Sequence, residues 1–244
     1  AHALTQVLLE RHGVLTRAAA PAEGVTSRFR DVYRVLRVLE ERGAVRRGYF
    51  VEGLGGSQFA LPGAVDQLRT DAADRARARD ALVEGDGAGP GSGGRAEPGA
   101  VLLAATDPAN PYGAAVAWPR TATPRAGSSG ASVPGAGDDA AGSHRPGRKA
   151  GAVVVLVDGE LVLFVERGGR TVLSFGRGDA GDGPRLAAAA RLLVTETRAD
   201  RLGRVTVQRV DGVPALTAAR DRTPAAAALL DAGFGVTPRG LRPA

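Results

Sequence analysis

Three arginines, Arg30, Arg34 and Arg37, recur at intervals of four and three residues, the spacing that keeps side chains on one face of a helix. Their guanidinium groups are planar forks of N–H donors that match the oxygens of a phosphate. Phe29, Val32, Leu36 and Leu39 form an apolar stripe on roughly the opposite side of the same segment. A helix so patterned buries one side in its own domain and offers donors on the other, as a recognition helix must. Arg28 at its start, and Arg46, Arg47 and Tyr49 beyond Gly43, extend the set. The arginines suit neighbouring phosphates and the tyrosine can stack on a base. Backbone contact is favoured over base reading, because no group of Asn and Gln stands beside the arginines. The competing reading is an ordinary solvated helix face.

Other chemistry-bearing patterns are weaker. Gly89–Gly94 matches the dinucleotide G-x-G-x-x-G pattern but lies in a low-complexity stretch. Gly176–Gly181 matches it between a strand and a helix, yet Asp182, Gly183 and Pro184 are expected to separate its third glycine from that helix. His2, His12 and His144 lie on unrelated segments without metal-ligand spacing. No phosphate-cradling G-x-x-x-x-G-K-[ST] loop and no Asp-Glu-x-Asp or Asp-Glu-x-His box occurs, so ATP chemistry has no visible residues here. No cofactor is therefore expected within these residues. Asp107-Pro108-Ala109-Asn110-Pro111 reads as a packed turn before it reads as a catalytic carboxylate.

The elements that would position the arginines follow from the pattern around them. Leu4, Val7, Leu8 and His12 recur at helical spacing and Gly13 stops the run. A short second helix is predicted over 16–22, and a third from the N-cap candidates Thr26 and Ser27 to Arg42. Strands over 44–51 and 57–61 flank a glycine turn. Three helices and a two-stranded hairpin make a winged helix-turn-helix over residues 1–84. A flexible Gly-rich stretch (85–99), a short ordered block (100–119) with Tyr112 and Trp118, and a disordered linker (120–149) are expected next. Residues 150–244 then read as a small α+β domain. Its strands Val153–Val157 and Leu161–Val165 are joined by Asp158-Gly159, a strong hairpin signal, and followed by a third over Thr171–Phe175. A helix from Pro184 to about Asp200, a strand over Arg204–Val210 and a helix capped by Thr223 with Pro224 at its start come next. A basic tail is expected to close the chain. The fold class is α+β, with an antiparallel hairpin sheet covered on one face by helices.

Composition narrows the options. The 244 residues suffice for one large or two small cores, and the chain opens on Ala1 rather than Met, which suggests part of something longer. The formal net charge is +6, and 32 basic residues include a single lysine, Lys149. That balance favours a polyanionic partner, although arginine-rich usage also accompanies a GC-rich genome. With no cysteine, disulfide scaffolds, thiolate zinc sites and cysteine nucleophiles are excluded. No apolar run approaches the length of a bilayer span. The expected setting is the cytoplasm, in association with the nucleoid.

Three stretches resemble one family. Residues 46–63, from Arg46-Arg47-Gly48-Tyr49-Phe50-Val51 to Ser57-Gln58-Phe59-Ala60-Leu61-Pro62-Gly63, resemble the wing of the last winged helix in Lhr-type (large helicase-related) superfamily 2 helicases. Residues 103–113 with Trp118-Pro119 are similar to the block that follows it, and residues 150–175 resemble the terminal domain. The resemblance implies the C-terminal region of an ATP-driven, 3′-to-5′ DNA helicase linked to repair. Its motor, with ATP and magnesium, would lie N-terminal to these residues. It also implies self-assembly and kinship with AlkZ-type DNA glycosylases, while the arginine face beside Arg46 and Arg47 points to single-stranded or forked DNA as partner. The Gln-x-Gln motif of those glycosylases has no counterpart, since glutamine occurs only at 6, 58, 67 and 208. A glycosylase, a purely structural oligomerisation module and a free-standing transcriptional regulator remain the alternatives.

Overall fold

The computed structural model describes residues 1–19, 23–24, 29–52, 54, 57–84, 99–121, 145–178 and 181–243. Arg28, nearly all of the Gly-rich stretch and most of the expected linker lie outside the described residues. Residues 1–96 with 111–117 form one compact unit, and 97–110 with 118–244 form another.

The first unit begins with α1 (His2–His12), β1 (Val14–Leu15) and a 3-10 turn over Arg17–Ala19. Helix α2 (Phe29–Glu41) follows, then β2 (Arg46–Gly48), β3 (Gln58–Ala60) and α3 (Pro62–Glu84). The three strands pair antiparallel in the order β1-β3-β2, which adds a strand the periodicity did not predict. Where a second helix was expected, the described residues hold the 3-10 turn, capped by the Thr16 hydroxyl, which accepts from the Ala19 amide at 3.3 Å. The core joins Leu8 and Leu9 of α1, Leu15, Val32 and Leu36 of α2, Val45 and Phe59. Val7, expected in the α1 stripe, is exposed. The 23-residue α3 was missed because it has no sustained apolar stripe. Helix-favouring residues and local pairs such as Arg69–Asp66 (3.3 Å) and Arg77–Asp74 maintain it instead, with Pro62 in its first turn.

The second unit is built on a six-stranded sheet in the order β4-β5-β6-β7-β8-β9. β4 (Ala100–Ala104), β5 (Val153–Val157), β6 (Glu160–Val165) and β7 (Thr171–Ser174) pair antiparallel. β8 (Arg209–Val210) lies parallel to β7, and β9 (Val213–Pro214) closes the edge. Asp158 (φ 51°) and Gly159 (φ 80°) have the two positive φ angles of a type I′ hairpin turn. The same dipeptide recurs at Asp211 (φ 51°) and Gly212 (φ 83°) between β8 and β9.

Helices α4 (Asp182–Arg198), α5 (Ala215–Arg220) and α6 (Pro224–Asp231) pack on the sheet through Leu186, Leu193, Val194, Ala218 and Leu229. Fully burying each leucine contributes roughly 1.5–3 kcal/mol. α6 starts as expected, with Thr223 at the N-cap and Pro224 in the first turn. The other sheet face is also covered in part, since Trp118 packs edge-on against Phe164 with ring centroids 5.7 Å apart.

The expected basic tail is instead a hairpin, β10 (Phe234–Thr237) with β11 (Gly240–Pro243). Buried Phe234 and Leu241 anchor it, too few apolar residues to produce a recognisable alternation. Arg148, counted above as linker, is also anchored. Its guanidinium donates to the carbonyls of Asn110 (2.7 Å), Thr106 (3.0 Å) and Asp107 (3.1 Å).

Candidate nucleic-acid interface

Helix α2 carries Asp31 in its first turn, where a carboxylate suits the positive end of the helix dipole. It ends in a Schellman arrangement. The Gly43 amide donates to Glu40 O (2.9 Å) and the Ala44 amide to Leu39 O (2.8 Å), with Gly43 at φ 71°. Val32 and Leu36 are fully buried, and Tyr33 packs edge-on against Phe59 at 5.7 Å, which fixes the rotation of the helix. That rotation leaves Arg30, Arg34 and Arg37 exposed together. Arg34 lies 3.5 Å from Asp31 and Arg37 3.8 Å from Glu41, both pairs open to solvent. Such pairs contribute about 0–1 kcal/mol, so a phosphate can displace them at little cost. Arg30 and Arg47 make no ion pair among the described residues, and Arg46 reaches Asp66 at 3.8 Å.

Beyond β2 the chain enters the wing, and its order rests on a residue the sequence analysis did not single out for this role. Gln58 is fully buried on β3. Its Oε1 accepts from the Phe50 and Val51 amides, both at 2.9 Å. Its Nε2 donates to Val51 O (2.9 Å) and Leu54 O (2.6 Å). One side-chain amide thus saturates four backbone groups of the wing, replacing ladder bonds that a short hairpin lacks. The available signal was a long polar residue at a core-facing strand position. Tyr49, at the mouth of this wing, is 86% exposed, so its ring is open to a stacking partner. Six of the seven predicted residues therefore lie on α2 and the β2 end of the wing, and the seventh, Arg28, lies outside the described residues.

Other sequence-flagged positions have structural partners. Glu23 binds His12 at 3.0 Å and Arg11 at 2.8 Å. Asp107 accepts from the Ala109 amide at 2.8 Å, and buried Asn110 donates to Ala105 O at 2.9 Å, which makes their loop a packed turn. In the Gly176–Gly181 loop, Asp182 belongs to α4 rather than to a spacer before it. Its carboxylate accepts from the amides of Arg177 (3.0 Å) and Gly178 (2.8 Å), the donors that a pyrophosphate would use.

The winged-helix domain of large helicase-related protein matches residues 1–80. Over 246 residues the chain is 45% identical to the "Lhr helicase/ probable uracil glycosylase" of Mycolicibacterium smegmatis, covering 99% of this chain. The chain belongs to the Lhr family. It is also 30% identical over 239 residues, 98% of its length, to the "Lhr helicase/uracil glycosylase" of Escherichia coli K12. The chain spans only 14% and 13% of those two relatives. The Lhr match at residues 1–80 covers the α2 arginines and the Gln58-anchored wing.

Proposed function

We propose that this chain is an accessory nucleic-acid-binding and assembly region of an ATP-dependent helicase, its C-terminal part, with the motor elsewhere in the protein. The carrying observation is the exposed Arg30/Arg34/Arg37 sector of α2 beside Arg46, Arg47 and Tyr49 on a wing fixed by Gln58. It grips the sugar-phosphate backbone of single-stranded or forked DNA without reading bases, as the absence of bidentate amides beside the arginines implies. Translocation in the 3′-to-5′ direction, ATP and magnesium belong to the motor, and the role of the whole is in DNA repair. The setting is the nucleoid, and no helix among the described residues is long and apolar enough to cross a membrane.

The names of both relatives favour a second reading, base excision. A carboxylate that assists excision must be open to a bound base. Asp211 is the carboxylate that burial perturbs most clearly in the second unit, and Ser174 occupies it. The Ser174 amide and hydroxyl donate to it at 2.6 and 2.7 Å. The two readings separate in one set of samples. The chain is titrated with forked and single-stranded DNA containing uracil, and binding and base release are measured together. Salt-dependent binding without release supports the accessory region, release supports the glycosylase, and neither overturns both.

A further inference from the structure

The end of the chain assembles a second cationic surface from two segments far apart in sequence. Residues 204–207 run extended, so that Val205 and Val207 turn into the core while Arg204 and Thr206 face outward. β11 docks beside them through paired backbone bonds, Val207 N–H to Leu241 O and Leu241 N–H to Val207 O, both 2.8 Å. Leu241 is buried, so its neighbour Arg242 points out, and the turn between β10 and β11 presents Arg239. Arg204, Thr206, Thr237, Pro238, Arg239 and Arg242 line a concavity of about 420 Å³.

Its charge has no internal counterpart. Among the described residues no carboxylate lines the concavity, and none of the three arginines forms an ion pair. Other arginines of the same unit do: Arg177 and Arg185 with Glu160, Arg201 with Glu196, Arg222 with Asp231. Three unpaired guanidinium forks beside a Thr206 hydroxyl are the donors that phosphate oxygens take. The arginines are exposed rather than enclosed, whereas small-ligand sites bury most of their ligand. That geometry suits a phosphodiester chain running across the surface.

We propose that this cleft is a second backbone-phosphate site for single-stranded nucleic acid. The proposal rests on the reading of the chain as a nucleic-acid-binding region. Its test is a fluorescence-anisotropy titration of the chain with a labelled oligothymidylate over a range of salt concentrations. Three proteins are compared: wild type, Arg204→Gln/Arg239→Gln/Arg242→Gln, and Arg30→Ala/Arg34→Ala/Arg37→Ala. Loss of three phosphate contacts in the glutamine variant lowers the magnitude of the logarithmic salt slope by roughly 2, with affinity falling at least about tenfold. Its thermal midpoint stays at the wild-type value.

A glutamine variant that binds like wild type, while the alanine variant loses affinity, overturns the cleft and leaves the α2 reading standing. The reverse pattern supports the cleft and rejects α2. A wild-type chain that does not bind overturns both. Should the triple variant unfold, Arg239→Gln alone, at the exposed turn, must lower the slope by roughly 0.7, and an unchanged slope rejects the cleft. Inorganic phosphate is titrated separately against the arginine Nε–H resonances. If it saturates the cleft without competing with the oligonucleotide, the site is one for free anions and the proposal fails.

Discussion

The two cationic surfaces of this chain use the same residue in opposite ways. On α2 the arginines share one helix with Asp31 and Glu41, so the cluster is partly neutralised and its geometry comes from a single element. At the chain's end, Arg204 on the segment before β8 and Arg242 on β11 are held together by the Val207–Leu241 bridge, with no carboxylate between them among the described residues. A cluster carried by one helix keeps its internal spacing as long as that helix is folded. One assembled from separate segments loses its spacing when those segments part. The spacing of the first is therefore local, and that of the second depends on a tertiary bridge.

The sharpest way to break that contrast is at Gly240. It has φ 129°, and a Cβ there would overlap the Val207 carbonyl oxygen. Gly240→Ala is expected to lower stability by about 3 kcal/mol, measured by urea denaturation, through strain and loss of the bridge. It should remove the terminal contribution to binding and leave that of α2. Wild-type stability in the Gly240→Ala variant would show that the bridge does not hold the hairpin.

Gln58 probes the other surface. Gln58→Ala leaves two amides and two carbonyls of the wing without their partner, and about 2 kcal/mol of stability is expected to be lost. Binding should weaken even though no arginine changes, because Tyr49 and Arg47 lose their fixed positions. Equal affinity in the two proteins would separate the wing from the interface.

The smallest effect is one of pH. Burial raises the Asp211 carboxyl above its ordinary range, and this outweighs the hydrogen bonds from the Ser174 amide and hydroxyl that favour ionisation. A group whose folded pKa is raised binds its proton more tightly when folded, so ionised Asp211 opposes folding above that pKa. The opposition disappears as pH falls through the raised value toward the usual one. Asp211→Asn should therefore be at least as stable as wild type at neutral pH, with the difference shrinking on acidification. A difference that grows on acidification would reverse the sign.

Much of the first surface was legible because helical periodicity is local. Phe29, Val32, Leu36 and Leu39 mark the buried side of α2, and Arg30, Arg34 and Arg37 must then face away. The Asp158-Gly159 turn was legible for the same reason, with long apolar strands on either side. The identical Asp211-Gly212 turn was not, because its strands have two residues each. Gln58 shows locally only as a polar residue at a core-facing strand position, and the terminal cleft has no local signature. Gln58 acts on backbone groups up to eight residues away, and Arg204 meets Arg239 and Arg242 only once β11 has docked. α3 escaped because its helix depends on propensity and i,i+3 pairs rather than on an apolar stripe.

The central claim is that α2 grips phosphates, and the salt dependence of single-stranded DNA binding tests it most directly. Replacing Arg30, Arg34 and Arg37 together with alanine should reduce the magnitude of the logarithmic slope by roughly 2, at about 0.7 per lost contact, and weaken binding at every salt concentration. These side chains are exposed, so the thermal midpoint should hold. A variant that folds like wild type and titrates with the same affinity and the same slope would contradict the account.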